Sequence, residues 1–281
     1  IKGGITMLPS VNFCGIEITR LTIGNNPFSG HSYIPKKYTR DEMLDYYTAE
    51  RICETLFEAE KCGINTYQAL ACPFIYRVIR QYRNNGGKMN IIFQTHSAID
   101  LNYSLRQLLP LEPVAIYLQG AVTDGLIESG EIDVLKDKIR LLRETGLPIG
   151  LSTHRPEHLL MSEREGWDVD FYMACLYNAR RPVREDEKGY VSNDCGHIVF
   201  YPEDRFITYK AINSTKKPCI AYKILAGGQI FNGGDKRTVL RECFREIYEN
   251  IKPGDIATIG VFQRDENQLR ENTDILRETL T

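Results

Sequence analysis

Short apolar runs alternate with longer stretches of helical periodicity along this chain. The runs are Leu21–Gly24, Asn65–Ala69, Asn90–Thr95, Val114–Gln119, Pro148–Thr153, Asp170–Tyr177, Cys219–Leu225 and Ile256–Phe262. Several are continuously apolar, as in Val114-Ala115-Ile116-Tyr117-Leu118. Such runs are expected of parallel strands buried on both faces. Between them, Ile132, Leu135, Ile139 and Leu142 fall on one face of an amphipathic helix, and Val239, Cys243 and Ile247 repeat every fourth residue with Leu240 and Phe244 alongside. Thr39 followed by Glu42, and Asp265 followed by Gln268, are helix-start signals. Gly63, Gly146 and Gly166 stand where a helix hands over to a strand and a left-handed cap favours glycine. Eight strands alternating with helices predict an α/β chain folded as a closed (β/α)8 TIM barrel rather than an open doubly wound sheet. With no linker or break in composition, the chain reads as one domain over residues 1–281.

Two features decorate that plan. Asn12 to Ile18, with Gly15 in the turn, has the pattern of a β-hairpin placed to plug the barrel bottom. Residues 178–204 make a long polar loop carrying Arg180, Arg181, Arg184, Asp194 and His197. A loop of that length serves either as a lid or as a solvated excursion, and the sequence leaves both open.

Charge and composition narrow the partners. The 35 Lys+Arg against 37 Asp+Glu give a net charge of −2, which offers no basic footprint for nucleic acid or an anionic membrane surface. No apolar run approaches the roughly 20 residues that span a bilayer. A small polar molecule is the expected partner, with no indication of oligomeric state. The eight cysteines are scattered without a C-x-x-C pair, so neither a disulfide framework nor a zinc or iron–sulfur site is expected. The chain begins at Ile1, shows no signal peptide in what is present, and a reducing cytoplasm is the expected compartment.

In a (β/α)8 barrel the active site lies at the C-terminal ends of the strands. Asn25, Asn26 and His31 follow the first strand, Gln68 ends the second, His96 the third and Gln119 the fourth, with Asp124 beyond. Thr153 and His154 end the fifth, Tyr177 and Asn178 the sixth, and Lys223 lies near the end of the seventh. Plainer roles exist for each. His96 and His154 can orient loops, Asn25, Asn26 and Gln119 can satisfy turn backbone, and Asp124 and Arg155 can be helix-end or surface charges. Lys223, inside an apolar run, must be paired or have a depressed pKa. It is a candidate Schiff-base nucleophile, an acid/base, or half of an ion pair, the last being the plainest. Gly227-Gly228 can admit a phosphate to backbone amides. His31, His96 and His154 have the nitrogens for a zinc site, but no closely spaced ligand pair anchors it and strand-end carboxylates are nearly absent, so no metal is expected.

Four segments, in order and spacing, resemble the aldo-keto reductase superfamily over most of the chain. They are Gly15–Gly24, Phe57–Asn65, Gly150–His154, and Ile259-Gly260 through Gln268–Asn272. The resemblance implies a barrel using NAD(P), with Thr153, Gly227, Gly228, Arg270 and Asn272 on the cofactor side. The family's catalytic tetrad is not carried over: Gln68 stands at its Asp, Pro73 at its Tyr, His96 at its Lys and Gln119 at its His. The reading that follows is an NAD(P)-dependent oxidoreductase on a sugar-like carbonyl or alcohol with a rebuilt acid/base set. In it His96, Lys223, His154 and Tyr67 (or Tyr117) are catalytic, while Asn25, Asn26, His31, Gln68, Gln119, Tyr177 and Asn178 bind substrate. The alternatives are a non-redox lyase, isomerase or hydrolase using the rim histidines or Lys223, with or without a metal, and a catalytically silent barrel.

Overall fold

The computed structural model describes residues 8–34, 37–181, 190–192, 196–231 and 234–280. The eight apolar runs pair in parallel and close into a barrel. Its strands are β3 (Leu21–Gly24), β4 (Thr66–Leu70), β5 (Asn90–Gln94), β6 (Ala115–Leu118), β7 (Ile149–Thr153), β8 (Phe171–Cys175), β11 (Cys219–Tyr222) and β12 (Ile256–Ile259). β11 seals the ring by pairing with β8 on one side and β12 on the other, and β12 pairs with β3. Two small antiparallel ladders stand apart: β1 (Ser10–Phe13) with β2 (Ile16–Thr19), and β9 (Tyr190–Ser192) with β10 (Gly196–Ile198). The latter lies within the loop expected over 178–204. Arg184 and Asp194 of that loop lie outside the described residues, as does the side chain of His197.

Helices form where the periodicity predicts them. In Ile132–Arg143, Leu135, Ile139 and Leu142 are buried, and Thr39 with Glu42 makes a reciprocal capping box. Of the boundaries that differ from the sequence reading, two matter below. The last helix, Gln268–Leu280, is capped by Asn267, whose side chain accepts from the Arg270 N–H at 3.0 Å, while Asp265 is taken up by Arg264. The seventh barrel strand stops at Tyr222, so Lys223 stands just past it, in the left-handed region at φ +57°. The chain turns there instead of continuing extended, and the Ala226 N–H donates to the Lys223 carbonyl at 2.8 Å.

The hairpin closes the barrel bottom as expected. Cys14 and Gly15 carry it through a two-residue turn with φ of +51° and +86°. Phe13 and Ile18 are fully buried in a cluster with Ile92, Tyr117, Phe171 and Met173. The Phe13 and Phe171 rings meet edge to face, with centroids 5.2 Å apart. Gly150 makes room for this layer, since a Cβ there would stand 2.3 Å from the Phe171 ring. Among the described residues no helix is long and apolar enough to cross a membrane.

Replacing Phe13 by Ala removes the plug's largest apolar group and is expected to cost ~3–5 kcal/mol in a urea titration, with far-UV dichroism retained. A loss under about 1 kcal/mol would mean that the hairpin does not fill the barrel end.

Candidate functional site

The barrel's C-terminal mouth opens into a cavity of about 1170 Å³, above the ~300–1,000 Å³ usual for small-molecule sites. Asn25, Asn26, His31, Gln68, His96, Gln119, His154, Lys223, Gly227, Gly228 and Asn272 all line it. Strand ends far apart in sequence are thus brought to one surface. Tyr67, Thr153, Tyr177, Asn178 and Arg270 do not line it.

His154 is held in the wall by a fully buried carboxylate. Asp124 lies in the helix Gly120–Glu128 that follows β6, and none of its side chain is exposed. Its Oδ2 accepts from the His154 backbone N–H at 3.0 Å and pairs with His154 Nδ1 at 2.8 Å. Its Oδ1 pairs with His158 Nδ1 at 2.8 Å and accepts from the Thr153 hydroxyl. Burial opposes the charge, but the hydrogen bonds from His154 and His158 outweigh it and hold the carboxyl well below the usual range. With Nδ1 donating to Asp124, the neutral His154 ring leaves Nε2 as an acceptor. Burial first, then the Lys223 charge, lower the His154 pKa from its ordinary 6.5. Gly120 permits this arrangement, because a Cβ there would sit 3.0 Å from the imidazole.

His96 is set the opposite way. Its Nδ1 accepts from the Ala98 N–H at 3.0 Å, so its neutral ring carries the proton on Nε2. The cavity therefore has one imidazole wired as an acceptor and one as a donor. Around them, the buried oxygens Gln68 Oε1, Gln119 Oε1 and Asn272 Oδ1 have no hydrogen-bond partner among the described residues. Buried amide oxygens of this kind are costly unless a ligand supplies donors. Tyr222, which the sequence reading did not single out, lines the cavity with its ring edge-on to His154 at 5.6 Å and its hydroxyl donated to the Thr153 carbonyl. Lys223 Nζ lies 5.0 Å from the Tyr33 ring centroid and 5.9 Å from that of Tyr222. Tyr117, the alternative tyrosine, lines the cavity and donates its hydroxyl to Gln94 at 3.2 Å.

Strand parity explains the placement of Tyr67. Neighbouring residues on a strand face opposite sides, so with Gln68 lining the cavity Tyr67 turns toward the helices. There it is fully buried against Phe28 and gives its hydroxyl to Asn25. Thr153 stands behind the wall, holding Asp124. Tyr177 packs on Phe200 with ring centroids 5.1 Å apart, and Asn178 accepts the Arg180 N–H at 3.2 Å. Arg270 is paired with Glu58 at 3.0 Å. Gly227 and Gly228 have positive φ, but the close approach they allow is to the chain itself: added Cβ atoms would meet Tyr33 at 2.4 Å and Ile34 at 3.1 Å. The Gly228 N–H is also used, donating to the Leu225 carbonyl at 2.8 Å. His31, His96 and His154 share the cavity, yet among the described residues no group of three His, Cys, Asp or Glu is arranged to hold a metal ion.

No protein-family model matches the chain, and no curated protein sequence does. Solved structures do match in fold. Gox0644 in its apo form aligns with a TM-score of 0.61 at 11% identity, over 96% of this chain and 88% of that one. An aldo-keto reductase of Bombyx mori in complex with NADP aligns at 0.58 and 10% identity, over 98% and 90%. Yersinia pestis DHPS with a pterine-sulfa conjugate aligns at 0.52 and 9% identity, over 97% of both chains. At such identities the likeness is one of fold, and the fold is shared by barrels of different chemistry.

Because the Asp124 carboxyl titrates below its ordinary 3.8 when folded, the stability it contributes is present above that pH and is lost as pH falls through the folded value. Asp124→Asn is expected to cost about 3 kcal/mol at pH 7, and the gap from the parent should close as pH is lowered below about 4. Denaturant titrations across that range test this, and a pH-independent gap would count against the ionised pair.

Proposed function

We propose that this chain is an NAD(P)-linked oxidoreductase acting on a hydroxylated, sugar-like carbonyl or alcohol, with His154 as its proton-transfer group. The observation that carries the reading is the His154–Asp124 pair, an imidazole facing a large barrel-mouth cavity with its other nitrogen pinned by a buried carboxylate. A lowered pKa leaves His154 unprotonated near neutrality, so its Nε2 suits the removal of a hydroxyl proton. His96, donating through Nε2, is suited to hold a carbonyl or alkoxide oxygen. The unpartnered amide oxygens of Gln68 and Gln119 suit the hydroxyls of a polyol.

A nicotinamide cofactor, when bound, supplies or accepts the hydride. The residues fit one on the β12 side. Asn272 gives its Nδ2 to the Gln268 carbonyl and keeps an unpartnered buried Oδ1 toward the cavity, an acceptor for an exocyclic amine. Gln268 and Lys236 line the wall beside it. Support also comes from the NADP complex of the barrel from Bombyx mori. The covered Gly227-Gly228 turn favours a second reading, in which the same pair removes a proton without redox chemistry, as in an isomerase or lyase.

Titration with NADPH and NADH decides between them. Saturable binding near micromolar Kd, about −8 kcal/mol, is expected for the redox reading, and no binding at millimolar cofactor would end it. With a substrate in hand, His154→Ala is expected to lower kcat by about 10²–10⁴-fold with cofactor affinity unchanged. In the parent, oxidation should lose rate as pH falls through a value below the ordinary histidine pKa of 6.5. A profile flat through that region would remove His154 as the base.

A further inference from the structure

The cavity carries a charge bias that the whole chain does not. Net charge over the sequence is −2. Yet the described residues that line the cavity include four cations, Lys37, Arg180, Lys223 and Lys236, and a single carboxylate, Glu266. These charges fall into two groups. Lys236 is on the β12 side, tied to Glu266 and to Glu271. Lys37 lies over the Tyr38 ring, which itself packs on Phe262 just after β12. Lys223 and Arg180 follow β11 and β8, on the arc that carries His154.

This second group stands around the reacting end and is held there. Lys223 Nζ and the His154 ring share the Tyr222 ring as a neighbour, at 5.9 and 5.6 Å from its centroid. Lys223 reaches that position from a left-handed backbone, a conformation strained for a residue with a side chain and one that clusters at functional sites. Arg180 is held by design of its loop: its N–H donates to Asn178, and its Nε and Nη2 bond Glu128. Glu128 is shared with Arg155, whose Nη1 lies 3.5 Å away, so one carboxylate serves two guanidinium groups. Both Lys223 and Arg180 also act electrostatically to disfavour a proton on His154. Asp124 opposes this effect on His154 from behind the wall, while the side chains that face the cavity on this arc are the two cations.

We propose that Lys223 and Arg180 form an oxyanion-binding corner beside His154, and that the substrate is a hydroxylated small molecule carrying a carboxylate or a phosphate monoester. The placement of the reacting carbon near this corner rests on the acid–base role proposed for His154. The corner itself does not depend on the cofactor. A lysine and a guanidinium suit either anion, the former as a point charge and the latter through the edge of its plane that Glu128 does not take up.

Calorimetric titration of the whole chain with gluconate and glucose 6-phosphate, against glucitol and glucose, tests the proposal with and without saturating NADP. One anionic probe is expected to bind at least about tenfold tighter than its neutral counterpart, an advantage of ~1.4 kcal/mol that shrinks with added salt. Whether the carboxylate or the phosphate holds that advantage identifies the anion. Lys223→Met and Arg180→Gln should each lose about tenfold for that probe, with neutral binding little changed, and Lys223→Arg should keep the preference. Should Lys223→Met fail to fold, the more exposed Arg180→Gln carries the test. Equal binding of neutral and anionic probes, no binding of either, or a preference that survives both substitutions would overturn the corner. So would loss of anion binding in the NADP-saturated protein, which would assign the cations to cofactor phosphates. If NADP itself fails to bind while the anion preference stands, the oxidoreductase reading falls and the corner remains.

Discussion

A carboxylate with no exposed surface is the constraint around which this barrel mouth is arranged. An ionised Asp124 removed from water would be untenable by several kcal/mol without compensation. Two imidazole nitrogens, one backbone N–H and one hydroxyl supply it, filling both carboxylate oxygens. Those donors come from the end of β7, the residue after it and the helix Pro156–Arg164, while the acceptor comes from the helix Gly120–Glu128 that follows β6. Satisfying one charge therefore locks two successive βα units to each other. The orientation of His154 is a by-product of that lock, so the group proposed to move protons is held by the same bonds that keep the fold together there. Its positional precision comes from elements, not from a loop, which is what a proton-transfer group needs.

His154 and His96 differ because their Nδ1 atoms meet different partners. His154 Nδ1 meets an acceptor and His96 Nδ1 meets a donor, so the neutral rings present opposite faces of the same chemistry. In this way the cavity, where the resemblance read from the sequence would lead one to look for a tyrosine–lysine tetrad, presents one imidazole nitrogen as an acceptor and another as a donor. Tyrosine has not vanished from the site. Tyr117 and Tyr222 line it, but burial raises their hydroxyl pKa values and each hydroxyl is already donated, to Gln94 and to the Thr153 carbonyl. They shape the wall, and the Tyr222 ring is one of the two aromatic faces beside Lys223.

The barrel was legible because strands buried on both faces write continuous apolar runs, and no other element of that length does. The rim followed from strand order alone, which is why His31, His96, His154, Gln68 and Gln119 could be named together. What the sequence concealed depends on parity and on distance. Tyr67 and Gln68 are neighbours in the chain, and only the register of β4 decides which faces the cavity. Asp124 lies 30 and 34 residues from the histidines it holds, and its position within a helix looked like that of any surface charge. Its signal was available in one respect: it follows β6 by one helical turn, and His154 follows the adjacent β7, so strand adjacency could have paired them. Lys223 looked like a strand residue because nothing in Ala221-Tyr222-Lys223-Ile224 marks a left-handed turn. The glycine pair that follows looked like a phosphate cradle, whereas Tyr33 fills the space that those glycines leave.

Charge placement supplies the last link between scaffold and chemistry. A neutral imidazole is a better base when its protonated form is disfavoured less, and here two cations disfavour it further while a buried carboxylate restrains the effect. An anion bound between those cations would relax the penalty as it arrives, raising the basicity of His154 only when substrate is present. Proton abstraction from the hydroxyl of an anionic ligand is then favoured over abstraction from a stray neutral alcohol, without any contact that reads the hydroxyl itself. The same two cations would stabilise the alkoxide that forms, since negative charge develops on the side of the cavity where they stand. Selectivity and catalysis in such a site would come from one arrangement of charge, with Asp124 setting the imidazole and the Lys223–Arg180 corner setting what it acts upon.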